Sequence, residues 1–147
     1  MPTPDVIFAV GNQTALIGWA ILILAPRRYG PILWVPGLLI PFLLGLAYAA
    51  LILLNFTAAG GDFGSIEGVR TLMQNDAALT AGWLHYLAFD LFVGAWIARN
   101  ADENRIPRLI QAVMLLATFM FGPIGLVLYL VTRTAMGAPL RGEEPAS

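Results

Sequence analysis

The sequence has no cysteine and no lysine, a single histidine, and few charges of either sign. The missing cysteine excludes disulfides, thiol nucleophiles and thiolate metal sites. With one histidine, a zinc site would need carboxylates for most of its ligands, so no metal centre is expected. Charged residues make up 12% of the chain, against about 25% in soluble domains. A soluble domain of 147 residues could not cover its surface with so few. The net charge of −1 and the absence of a basic patch exclude nucleic acid as a partner. There is no phosphate loop, dinucleotide fingerprint or nucleophile elbow, and no cofactor is expected.

What is present is hydrophobic, at 59% of residues. A helical span needs about 20 mostly apolar residues, and four stretches qualify: 6–25, 31–56, 81–98 and 109–131. The expected fold is an all-α integral membrane protein, a single bundle of four transmembrane helices over residues 1–133. The acidic start of the chain and the length of the first run argue against a cleaved signal peptide. The only long connection, 57–80, carries Ile66, Val69, Leu72 and Met73 at helical spacing after Ser65. That pattern predicts a short amphipathic helix in the loop between spans two and three. Residues 134–147, with Gly, Pro and two Glu, read as a disordered tail. All basic residues are Arg, which together with the Ala, Gly and Pro content suggests a bacterial genome and hence a bacterial inner membrane. Arg27, Arg28, Arg99, Arg105 and Arg108 would share one side of a four-span bundle, against Arg70, Arg133 and Arg141 on the other. The positive-inside bias then places both termini on the non-cytoplasmic side.

Ionisable groups at hydrocarbon depth are costly, about 2.5–3.5 kcal/mol each on insertion scales, and ask for a reason. The third span holds two, His85 and Asp90. At about 100° per residue, Trp96, Phe89, Tyr86, Asp90 and Trp83 follow His85 around one side of the helix. Leu84, Leu87, Ala88, Leu91 and Ala95 fall on the other. The expectation is that the aliphatic face meets lipid and the aromatic, titratable face looks into the bundle. His85 and Asp90 are five positions apart and cannot pair, whereas Tyr86 and Asp90, four apart, can. Alternatively, Asp90 hydrogen-bonds a neighbouring helix and His85 sits near the interface. The first span adds Asn12 and Gln13, with Trp19 on the Asn12 face; amides of this kind also serve as interhelical glue. The fourth adds Gln111 and Thr118 on one face, then Phe121-Gly122-Pro123-Ile124-Gly125. There Pro123 should kink the helix, and Gly122 permits close approach of a backbone or a flat ligand. Asp62, Glu67, Arg70 and Asp76 in the long loop either cap a pocket or form a solvated face.

The run Gly82-Trp83-Leu84-His85-Tyr86-Leu87-Ala88-Phe89-Asp90-Leu91-Phe92-Val93-Gly94, followed by Trp96-Ile97, resembles the third span of the "abscisic acid deficient four" membrane family. Phe121-Gly122-Pro123-Ile124-Gly125-Leu126 with Tyr129 is similar to that family's fourth span, and Asn12, Gly18-Trp19 and Pro26 to its first. The resemblance covers about residues 6–132. It implies a small four-span membrane protein. Plant members take part in forming neoxanthin from violaxanthin, an opening of an epoxide to an allene. That reaction delivers a proton to oxygen and removes one from carbon, which is general acid–base work. On this reading Asp90 is the candidate acid and His85, which titrates near neutrality when unperturbed, the candidate base. Asn12, Trp19, Trp83, Tyr86, Phe89, Trp96, Gln111 and Gly122 are the candidate substrate-binding residues, the rings stacking along a polyene.

Two functions from different classes remain open. One is an isomerase acting by acid–base chemistry on a carotenoid or related isoprenoid. The other is a non-catalytic membrane module that binds a carotenoid or lipid, or supports an enzyme complex. The partners in both cases are a lipophilic small molecule and the bilayer. A channel or transporter would require the chain to form a homo-oligomer.

Overall fold

The computed structural model describes residues 2–26 and 30–136, whose regular elements are all helices, with no strand among the described residues. Helix α1 (Pro4–Leu24) starts with Pro at its first position, where the missing N–H costs nothing. The second apolar stretch begins as a 3₁₀ turn, Gly30–Leu33, passes through a π-helical turn, Val35–Leu39, and settles into α2 (Ile40–Ala59). Pro36 and Pro41 lie in this region, and each removes a backbone donor from the ladder. The expected loop helix is present as α3 (Ile66–Met73), with the Ser65 hydroxyl accepting from Gly68 N at 2.9 Å. Helix α4 (Asp76–Glu103) is longer than the sequence pattern indicates, because Asn75 caps it early by accepting from Ala77 N and Ala78 N. Among the described residues three helical stretches are long and apolar enough to cross a membrane: Pro4–Leu24, Pro31–Asn55 and Asp76–Glu103.

Helix α4 is the axis of the fold. Gly11 and Gly18 of α1 lie against Leu84 and Leu91, and Trp19 lies over Gly94, so α1 and α4 run parallel. Gly37 meets Ala95, and Tyr48 meets His85 at 5.4 Å between ring centres, so the second stretch runs antiparallel to both. Leu22, Leu84, Leu91, Ala95, Ile97 and Ala98 are fully buried between these elements.

The expected fourth span is not one helix. It is broken into α5 (Arg108–Phe121) and α6 (Pro123–Ala135), each too short to cross. Gly122 adopts φ +55° and ψ −107° at the break, on the side of the map that costs an L-residue roughly 1–2 kcal/mol. Pro123 follows as the first residue of α6 and cannot continue the α5 ladder. The two halves form a hairpin. Gln111, near the start of α5, donates to Asp102 at the end of α4 (2.8 Å), and Phe119 packs on Trp19 at 5.5 Å. After the turn Gly125 lies against Thr118, Tyr129 meets Trp96 edge-on at 5.3 Å, and the Tyr129 hydroxyl donates to Asn100 Oδ1. The chain therefore enters at the C-terminal end of α4, reaches the level of Asp90 and returns to the end it left.

The four-span bundle is therefore not confirmed: the last apolar stretch turns back on itself, and the start of α1 and the end of α6 lie at opposite ends of the described helices. The sequence pattern registers only apolarity, which a hairpin and a span share. Thr134 belongs to α6, and the tail from residue 137 on lies outside the described residues.

Candidate functional site

The faces of α4 are the reverse of the sequence expectation. Leu84, Leu87, Ala88, Leu91 and Ala95 are buried in the core, while His85 is exposed, as are Phe89 at 59% and Trp83 at 39%. The cause is size. In lipid, apolar side chains gain nothing by leaving the tails, and helices associate where small residues let backbones approach. Ala81, Ala88, Gly94, Ala95, Ala98 and Ala101 put that small surface on the leucine side. A Cβ on Gly94 would sit 2.6 Å from Trp19 Cη2, so the indole occupies the space the glycine leaves.

The outward face is nonetheless ordered. Trp83 stacks on Phe8 at 5.7 Å and touches Tyr86 at 5.1 Å. Its Nε1 donates to Asn12 Oδ1 at 3.0 Å, joining α4 to α1. Between α1, α4 and α5 lies a groove of about 240 Å³ whose walls include Asn12, Leu16, Trp83, Tyr86, Phe119 and Met120. Deeper along the same face, Tyr86 and Asp90 stand one turn apart on α4, near enough to interact. Asp90 is half-buried, and its Oδ2 is buried with no hydrogen-bond partner. Both carboxyl oxygens lie 3.1–3.2 Å from the position a Cβ on Gly122 would take. The glycine at the α5–α6 turn thus serves twice, allowing the positive φ and leaving room for the acid.

Asp90 is at the midpoint of the 28 residues of α4, which extend about 42 Å at 1.5 Å per residue. That length matches a bilayer of about 40–45 Å including headgroups. The carboxyl and the hairpin turn are therefore both level with the middle of α4.

Of the residues singled out from sequence, the fold gathers Asn12, Trp83, Tyr86, Asp90 and Gly122 into one line of contacts. It does not gather the others. His85 lies on the far flank of α4, in ring contact with Tyr48 and with Phe89 at 4.5 Å. Trp19 is core. Gln111 is buried at the far end, where its Nε2 holds Asp102 and Ile106 O. Trp96 packs on Tyr129. Phe119 and Met120 join the groove without a sequence signal, because they come from another helix. Among the described residues no group of His, Asp and Glu is placed to hold a metal.

A family model described as ABA DEFICIENT 4-like matches residues 6–129. The chain is 22% identical over 135 residues to "Protein ABA DEFICIENT 4, chloroplastic" of Arabidopsis thaliana, covering 86% of this chain and 60% of that protein. It thus spans little more than half the length of this relative. No solved structure matches.

Proposed function

The chain belongs to the ABA DEFICIENT 4-like family, and on that footing we propose that it is a membrane isomerase acting on a carotenoid or related isoprenoid. The observation that carries the proposal is the Asp90 carboxyl, at the middle of α4 with one oxygen buried and unpartnered, beside a tyrosine that lines an aromatic groove. Ligand pockets are typically about 300–1,000 Å³, and this groove is smaller at about 240 Å³. It suits one ring end of a long lipophile whose chain remains in the bilayer. Trp83 and Tyr86 would stack on that end and shield cationic character as it develops.

Tyr86 faces the groove and Asp90 stands behind it, so the proton passes through the phenol. Tyr86 gives its proton to the epoxide oxygen and takes one from Asp90. The C–O bond breaks and an O–H bond forms. The neighbouring carbon then loses its proton, through Tyr86, to the carboxylate. The electron pair of that C–H bond becomes the new double bond, and Asp90 ends protonated as it began. His85, on the other flank, is outside this relay.

The protein purified in mild detergent should carry a lipophile identifiable by mass spectrometry, and a deletion strain should accumulate that compound. Binding without accumulation would favour the non-catalytic module, for which the shallow groove is the supporting feature.

The proposed topology is three spans and a hairpin that enters partway and returns. Arg99, Arg105, Arg108 and Arg133 then share one end of the bundle, against Arg70 at the other, and on the positive-inside bias the proposed orientation has the C-terminal end of α6 in the cytoplasm and α1's start outside. Since the chain has no cysteine, single Thr3→Cys and Thr134→Cys variants report this directly. An impermeant maleimide applied to intact bacterial cells should label the first and spare the second. Equal labelling of both would restore a fourth span.

A further inference from the structure

A second site lies at the opposite end of α4 from the loop helix, against the π-helical turn Val35–Leu39. Pro36 and Gly37 of that turn are buried, and Arg99 lies over it. The guanidinium Nη2 is 3.6 Å from where a Cβ on Gly37 would be, so the absent side chain is the room the cation occupies. Turns of this kind in helices are often functional. Around the guanidinium is a pocket of about 220 Å³ walled by Trp34, Gly37, Leu38 and Phe92. It shares Trp34 and Leu38 with a neighbouring groove of about 450 Å³ completed by Val35, Leu39 and Phe42.

Arg99 has acids within a turn and uses neither. Asp102 accepts from Gln111 at 2.8 Å, and Glu103 accepts from Asn100 at 3.2 Å. Among the described residues Arg99 forms no ion pair. Its position along the bilayer is defined. Nine residues beyond mid-depth Asp90 is about 13 Å along the axis, close to the edge of a hydrocarbon core of about 30 Å. The apolar groove runs from there inward, since Phe42 lies deeper than Trp34 on the antiparallel helix. Trp34, 65% exposed, has the amphipathic ring that favours headgroup level. A cation that merely reaches toward water needs no seat. This one has a seat, a free charge and an apolar channel leading away from it at right depth.

We propose that this groove holds one anionic glycerophospholipid. Its phosphate pairs with Arg99, and one acyl chain lies along Trp34, Leu38, Leu39 and Phe42. Among the described residues that line the two pockets there is no carboxylate to receive a choline or ethanolamine, so a headgroup with net negative charge is preferred. The site is separate from the Tyr86–Asp90 groove and does not depend on the reading of that groove.

The test is native mass spectrometry of the full chain in mild detergent, titrated with phosphatidylglycerol, with phosphatidylcholine of the same acyl chains, and with inorganic phosphate. The wild type should bind phosphatidylglycerol about tenfold more tightly than phosphatidylcholine, because both phosphates can pair with Arg99 but the choline brings a second cation beside the guanidinium. Arg99→Gln should lose that preference and Arg70→Gln should keep it. Equal binding of the two lipids by the wild type, a comparison that needs no variant to fold, would overturn the proposal. So would an undiminished preference in Arg99→Gln. Inorganic phosphate binding as tightly as the lipid would reduce the site to a free-anion site and overturn the lipid assignment.

Discussion

The two faces of α4 differ in what holds them. The inward face is leucine, alanine and glycine, packed to zero exposure at Leu84, Leu91 and Ala95. The outward face is aromatic and polar, held by ring contacts at Trp83, Tyr86 and Phe89 and by the Trp83–Asn12 hydrogen bond. In water, burial would separate a greasy face from a polar one. In lipid both faces are apolar enough, and the smaller one is packed because dispersion at close approach is what helices gain from each other. The larger, stickier face is thereby left free to meet a ligand from the bilayer.

Substitutions on the two faces should therefore differ in scale. Gly94→Leu forces a side chain into the Trp19 ring and should cost about 3 kcal/mol or more, lowering the thermal midpoint in detergent. An unchanged midpoint would mean the inward face is not tightly packed. Phe89→Ala, on the outward face, should shift the same midpoint by no more than about 0.5 kcal/mol equivalent. A loss comparable to that of Gly94→Leu would show that the outward face is covered by something structural, such as a second copy of the chain.

Much of the fold was legible in the sequence. Apolar run length located the three candidate spans among the described residues, and the Ser65 cap with Ile66, Val69 and Leu72 located the loop helix. The orientation of α4 was not legible. Helical periodicity sorts residues into faces, but deciding which face is inside needs the partner surfaces, Gly11, Gly18 and Trp19 of α1. The hairpin was half legible. Gly122-Pro123 announced a kink, yet a kink and a reversal use the same residues. What separates them is the contact of Gly125 with Thr118 and of Tyr129 with Asn100. In the site, i, i+4 spacing anticipated the Tyr86–Asp90 pair, and five-residue spacing anticipated that His85 stands apart. The rest of the groove comes from helices distant in sequence, so spacing along α4 could not supply it.

The outward face matters only if its acid works. The direct measurement is turnover against retention of the bound lipophile in purified Asp90→Asn, a change of nearly the same shape that cannot supply the carboxyl proton. Retention should stay within about twofold of wild type while conversion falls by about a hundredfold or more, the usual contribution of a positioned acid–base group. Conversion at the wild-type rate in that variant would contradict the account.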